Sequence, residues 1–296
     1  MDLVRYTLES ALKGGPHYGC QWDQALDAAP SLVISAGRIQ QVRPDPQWIE
    51  HNWDYLKRPI QQILNSIDEN GMYVCRFRSG NSGSYQRSCN AWDTFSFGHY
   101  DGYSGALAYR ALRCGAALAR AASDAFLSAS CNQAADTLRT AYTKTLLNPE
   151  TGWLAGWRSR DGILHDHGYL FINGAAACFG LLEDQQAIEI LRNLEQARRR
   201  IMGDDFRFGI LPQLKPVPRK DMSPSPSLND SLLRHDERFN RLWWRPLRAD
   251  GRDTYGVFTN GGLTPCFAFY YLCALSKFGF DDTATMVCNA LLESFE

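Results

Sequence analysis

No Cys-x-x-Cys pair occurs in these 296 residues, no apolar run is long enough to span a bilayer, and Lys plus Arg (31) almost balance Asp plus Glu (32). Each absence excludes something. The nine cysteines, at 20, 75, 89, 114, 131, 178, 266, 273 and 288, are odd in number and unpaired in spacing, which argues against a disulfide framework and against a zinc cage. They read as small buried hydrophobes in a reducing compartment. A formal charge of -1 supplies no global field to gather nucleic acid or anionic lipid, so neither is expected as a partner. The longest basic run, Arg198 to Arg200, falls at an expected helix end, where cations complement the dipole. The opening MDLVRYTLESALKGG lacks the apolar core and small-residue cleavage site of a secretory leader. Together with the missing membrane span, this gives a cytoplasmic expectation.

What is present is helical periodicity broken by loaded loops. Residues 2–13 have helical spacing and stop at Gly14-Gly15-Pro16, a strong break. In HYGCQWDQALDAAPSLVISAG, Trp22 and Asp23 precede a second helical run. Pro46 to Leu64 reads as an amphipathic helix with Trp48, Trp53, Leu56, Ile60, Ile63 and Leu64 on its buried stripe, and Pro59 is expected to bend or restart it. Gly71 to Asn90 reads as a short hairpin or irregular loop. Helices are expected from about Asp101 to Ala122 and Leu127 to Leu147, joined by Ser123-Asp124 as an antiparallel hairpin. An apolar helix follows the 148–168 loop, and Asp184 is expected to cap an amphipathic one reaching Met202. Residues 203–257 are the least helical, with KPVPRKDMSPSPSLND and RLWWRPLR in a long loop of the kind used as a lid or binding loop. A last inner and outer pair ends the chain. The count is about ten helices in one domain, 1–296.

The densest chemistry lies in NAWDTFSFGHYDGYSGALAYRALR, residues 90–113. Trp92, Asp93, Phe95, Phe97, His99, Tyr100, Asp101 and Tyr103 stand directly before an Ala/Leu-rich helix. Asp101 sits where a carboxylate caps free N–H groups, so capping and aromatic core packing are the plain alternatives to a site.

Alternation of inner and outer helices describes an all-α (α/α) toroid. Three stretches, WDTFSFGHYDGYSGALAYRALR, NPETGWLAGWRSRDGILHDHGYLFINGAA and TNGGLTPCFAFYYLCAL, resemble the six-hairpin glycosidase superfamily of (α/α)6-barrel carbohydrate-active enzymes. With their spacer helices they cover most of the chain from about residue 20. A full toroid has twelve helices against about ten read here, so one hairpin is short, hidden in 203–257, or missing from an incomplete toroid, and the N-terminal β-sandwich of many members is not visible.

That resemblance implies a cleft where loops enter the inner helices, which places Asp23, Asp93, Asp101, Asp161, Asp166 and Asp253 at its mouth. Glycoside hydrolysis uses two carboxyl groups, about 5–5.5 Å apart for retention and about 6.5–9.5 Å for inversion. Asp101 and Asp166 are the candidate catalytic pair. Burial would raise the Asp166 pKa and a helix N-terminus would lower it, and its alternative is an N-cap between two histidines. Asp93 is a candidate for holding sugar hydroxyls, and Asp161 is equally a turn residue. Trp22, Trp92, Trp153 and Trp157 offer flat faces to a sugar, with core packing as the alternative. Arg158 could clamp a carboxylate or sit in a salt bridge. His99, Tyr103, His165 and Asn260 complete the candidate binding set. His165 and His167, two apart, are expected to face opposite sides of an extended segment, so no metal is expected, nor any organic cofactor.

The expected function is hydrolysis of an oligosaccharide or glycan by acid/base catalysis. A polysaccharide lyase or sugar epimerase is the first alternative, through proton abstraction by His99, His165, Tyr103, Tyr169 or Arg158. A non-catalytic carbohydrate-binding scaffold on a truncated barrel is the second.

Overall fold

The structure is a computed structural model, and it describes residues 2–14, 25–76, 89–92, 95–206, 209–218, 221 and 265–293. Among these residues there are nine α-helices: α1 (Asp2–Leu12), α2 (Ala28–Val42), α3 (Pro46–Asn65), α4 (Gly102–Ala121), α5 (Ala125–Leu146), α6 (Leu170–Phe179), α7 (Asp184–Met202), α8 (Pro265–Lys277) and α9 (Asp281–Glu293). None is long and apolar enough to cross a membrane.

The helices pack as alternating inner and outer members. The inner row runs α2, α4, α6, α8, each packed on the next, while α3, α5, α7 and α9 lie outside their own hairpin partners. Among the described residues α8 is not packed back onto α2 as its neighbours are on each other. The result is an arc of an (α/α) toroid, as the alternation implied.

Sequence explains which helices go inside. Helix α6 is apolar on every side, and residues from Leu170 to Ala177 are all buried, which is what a helix surrounded by others requires. Helix α4 is rich in Ala and Gly, so neighbours approach closely. Outer helices carry one apolar stripe each, such as Ala187, Ile190, Leu191 and Leu194 of α7. Gly174 of α6 shows how tight the inner row is: a Cβ there would lie 2.5 Å from the Tyr271 Cα of α8.

Helix α3 runs through Pro59 without restarting, which leaves the bend as the expected effect of that proline. An interior proline costs about 3 kcal/mol. Burial of Trp48, Ile49, Leu56, Ile60 and Ile63 on one face, at about 1.5–3 kcal/mol each, outweighs it. Asp184 is the first residue of α7 rather than its cap; Glu183 holds the cap position, without a side-chain bond. Asp124 does cap α5, accepting from Leu127 N–H at 3.0 Å.

Short strands absent from the helical reading brace the loop end. β1 (Tyr100–Asp101), β4 (Trp157–Arg158) and β5 (Leu164–His165) form an antiparallel sheet in the order β1-β4-β5, and β2 (Leu147–Asn148) pairs with β3 (Trp153–Leu154). Asp101 lies opposite Trp157, and Trp157 opposite His165. In the loop read as a short hairpin or irregular, Tyr73 makes one isolated bridge to Ile67; residues 77–88 lie outside the described residues.

Candidate functional site

The loops before α2, α4 and α6 are stitched together at the N-terminal ends of these inner helices. Leu26 N–H donates to Cys89 O at 2.6 Å, Gly102 N–H to Gly156 O at 2.8 Å, and Ser96 N–H to Asp221 O at 2.7 Å. Four aspartates, Asp27, Asp101, Asp166 and Asp221, gather on this end.

Asp101 caps α4. Its side chain accepts from Tyr103 N–H at 3.0 Å and Ser104 N–H at 3.2 Å, from Asn90 Nδ2 at 2.8 Å, and from the Ser104 hydroxyl. It is 0% exposed. Burial pushes its carboxyl above the usual range, against those hydrogen bonds. Direct contact with a substrate is therefore a poor fit to Asp101 as placed here, and the capping alternative describes its geometry.

Asp27 went unremarked in the sequence, yet its carboxyl is strongly raised. It holds the N-cap position of α2 without a side-chain cap bond, and its Oδ2 accepts from Ala91 N–H at 2.9 Å. Burial lifts its pKa to about 6, with the nearby Asp101 charge adding to the rise. The adjacent residues Asn90 and Ala91 thus serve the two carboxyls of neighbouring inner helices. Nothing in the spacing marked Asp27 apart from its place before the AAPSLV run.

Asp166 is a hub rather than an N-cap, because α6 begins four residues later, with Tyr169 in the cap position. It accepts from Trp153 Nε1 at 2.7 Å, Gly168 N–H at 3.0 Å, Asn148 Nδ2 at 2.7 Å and Thr151 Oγ1 at 2.8 Å, and Lys215 Nζ lies 3.7 Å away. Trp153 is therefore buried with its N–H spent on Asp166. Arg158 is spent too: Nε donates to Thr145 O at 2.9 Å and Nη1 to Gly162 O at 2.8 Å. Asp161 is exposed and accepts from the Ser159 hydroxyl within its own turn, as its turn reading implied.

The aromatic residues form a layered core. Trp92 stacks on Phe171 at 5.2 Å and on Phe95 at 5.8 Å. Trp157 is 1% exposed and lies parallel to His165, centroids 4.4 Å apart at 6°. Trp92, Trp153 and Trp157 are all buried, so none presents an open face as expected. Tyr103 is half-buried against the edge of Phe171. His99 is half-buried beside Tyr100, and burial together with the Arg160 charge lowers its pKa. Trp22, Asp23, Asp93, Asp253 and Asn260 lie outside the described residues.

The two histidines of HDHG do not diverge. His165 ends β5, and the next residues leave the strand in a turn closed by Asp166 on Gly168 N–H, so alternation is lost before His167. Both rings reach Asp221: His165 Nδ1 lies 3.0 Å and His167 Nε2 3.5 Å from its Oδ2. Asp221 is 3% exposed, and the two imidazoles hold its carboxyl well below the usual range despite burial. Sequence reasoning missed Asp221 because it stands in a stretch that reads as a Pro/Ser loop.

Neither a scan against protein-family models nor a search of curated proteins finds a match. Among solved structures, a rhamnosidase from Klebsiella oxytoca with rhamnose bound is similar at TM-score 0.47 and 16% identity, over 86% of this chain and 47% of that one. The GH78 family rhamnosidase of Bacillus sp. GL1 is similar at TM-score 0.45 and 16% identity, over 62% of this chain and 21% of that one. The chain spans less than half the length of either.

Proposed function

We propose that this chain acts on an oligosaccharide or glycan as a glycoside hydrolase, with its chemistry at the loop end of α2, α4 and α6. The observation that carries the reading is the gathering of several carboxyl groups where the inner helices of an (α/α) arc begin, one of them, Asp27, lifted to about 6 by burial. Glycosidic cleavage needs a carboxyl that still holds a proton near working pH beside a second that does not. In this reading Asp27 holds the proton and Asp166 is the second carboxylate. Asp101 is a positioning residue: it fixes the start of α4 and, through Asn90, the Ala91 amide that Asp27 faces. The superfamily resemblance of the three loop stretches supports the same class. Fold alone does not set chemistry.

A second reading, a carbohydrate-binding scaffold without turnover, is favoured by one observation. Asp101 and Asp166, the carboxylates singled out by sequence, are both saturated by internal donors.

The test is product release from neutral and uronic acid oligosaccharides by this chain, with Asp27→Asn and Asp166→Asn variants, each shown to be folded at the assay temperature, alongside. Hydrolysis lost in both is the expected result. An unsaturated, ultraviolet-absorbing product moves the assignment to a lyase, and saturable sugar binding without turnover moves it to the scaffold.

A further inference from the structure

The cluster of His165, His167 and Asp221 lies among the same loops but is not used by the proposed hydrolysis, and its three side chains converge on one point while His167 Nε2 stays unbonded among the described residues. Ser159 Oγ has one hydrogen. It stands against Asp161 Oδ1, an acceptor, with Ile163 O a further acceptor at 3.2 Å. With that hydrogen given to Asp161, the 2.9 Å contact between Ser159 Oγ and His165 Nε2 has the imidazole as donor. A neutral ring protonated at Nε2 has a lone pair at Nδ1. That lone pair faces Asp221 Oδ2 at 3.0 Å, acceptor against acceptor. His167 Nε2 faces the same oxygen from 3.5 Å and, among the described residues, makes no hydrogen bond; neither does Asp221 Oδ1. All three side chains belong to residues at least nine-tenths buried, His165 at 5%, His167 at 8% and Asp221 at 3% exposure. An extra proton on His165 or a metal ion would resolve the first contact. A metal ion would at the same time engage His167 Nε2, 3.5 Å from the same oxygen.

From this we infer that His165 Nδ1, His167 Nε2 and the Asp221 carboxylate bind one divalent transition ion of the zinc class. The three donor atoms lie within 4.8 Å of one another. Tetrahedral bonds of about 2.0–2.1 Å put neighbouring ligand atoms roughly 3.3 Å apart, between the 3.0 and 3.5 Å separations found here. Two imidazoles and one carboxylate suit zinc and its neighbours rather than magnesium or calcium, which favour all-oxygen sets. Three protein ligands leave a fourth vertex for water or another small donor.

The surroundings match what orients such ligands. A metal-bound histidine commonly donates its other N–H to an oxygen that fixes tautomer and ring angle, and Ser159, backed by Asp161, is placed to accept from His165. The Trp157 ring, parallel to His165 at 4.4 Å, holds the imidazole plane. Asp221 is anchored by its own backbone, accepting from Ser96 N–H at 2.7 Å and donating to Pro218 O at 2.8 Å. The site therefore ties two loops, those of residues 165–167 and 221, with one ion, and it stands whether or not the glycosidase reading does.

The experiment is titration of chelator-stripped full-length chain with Zn²⁺ against a chromogenic competitor, with Co²⁺ as the spectroscopic probe. Expected is one equivalent bound, a Co²⁺ spectrum of tetrahedral N/O ligation, and an affinity at least about a hundredfold weaker in Asp221→Asn and His167→Gln. Ser159→Ala, which leaves the ligands in place, should weaken binding about 10- to 100-fold, whereas His51→Ala on α3 should change nothing. Because a variant could also fail to fold, imidazole ¹⁵N shifts of the unaltered chain are followed during the titration, and those of His165 and His167 should move together. Unmoved ring signals, no saturable binding below about 100 µM Zn²⁺, affinity unchanged in both ligand variants, or a thiolate charge-transfer band in the Co²⁺ spectrum would each overturn the assignment.

Discussion

The Tyr142 hydroxyl of α5 donates to the Gly102 carbonyl at the first turn of α4, 2.7 Å away and fully buried. One outer helix thus sets the height at which its inner partner begins, and with it the Asp101 cap. Tyr142→Phe removes the donor without opening a cavity. A loss of about 1 kcal/mol is expected, read as a fall in urea midpoint at unchanged slope.

Asp27 gives the protein a pH dependence of defined sign. Its pKa is raised from 3.8 to about 6 by burial, so between these values the folded chain keeps a proton that the unfolded chain has released. Fewer protons bound in the unfolded state means stability falls as pH rises from about 4 to 6, then levels off. At about 1.4 kcal/mol per pH unit, the loss is on the order of 3 kcal/mol. Asp27→Asn should flatten that slope and melt higher than the parent at pH 7. An unchanged stability profile from pH 4 to 7 would refute the buried, protonated carboxyl.

Arg198 of α7 is fully buried and forks onto Glu195, Nε to Oε1 and Nη2 to Oε2 both at 2.9 Å, while the Tyr271 hydroxyl of α8 donates to Oε1 at 2.8 Å. Deleting the arginine strands a buried carboxylate. Arg198→Ala should cost about 3–5 kcal/mol, and Arg198→Ala with Glu195→Gln distinctly less than the arginine change alone. Chemical denaturation of the parent, Arg198→Ala, Glu195→Gln and the double variant, compared as a mutant cycle, measures this.

Gly174→Ala tests the inner row. The added methyl would meet backbone atoms of Tyr270 and Tyr271 at 2.5–2.8 Å, which no side-chain rotation relieves. We expect a destabilisation of about 1–3 kcal/mol or more, seen as a lower melting temperature. Gly180→Ala at the α6 C-cap meets nothing within 4 Å but is strained by its φ of +78°, so its cost should be smaller, on the order of 1 kcal/mol.

Helices were legible where one physical signal dominated. Pro46 at the first turn, the tight Ser123-Asp124 link, and the all-apolar run of α6 gave boundaries within a few residues of those found. The inner and outer alternation followed from comparing apolar stripes. The strands β1 to β5 were not legible, because two-residue strands carry no periodicity and arise from loop meeting loop. For the same reason the site was only half visible. Asp101 and Asp166 stood out by position, yet which oxygen faces which donor depends on partners up to 18 residues away, such as Asn148 for Asp166. Asp221 is 56 residues from His165, and no local pattern connects them.

The β1-β4-β5 sheet has a kinetic consequence. Helices α4 and α5 are joined by three residues, 122–124, so that hairpin closes a short loop and forms early. The sheet pairs Tyr100 with Arg158 and can zip only after the whole α4–α5 hairpin has folded between its edges. Asp221 must then arrive across a still longer separation, and loop closure of that kind is slow. The loop end is thus assembled after the helices beneath it. In hydrogen exchange its amides, those of Gly102, Gly156 and Ser159, should open by sub-global unfolding while the core of α4 stays closed. The loop end can open and close reversibly while the helices beneath it keep their packing.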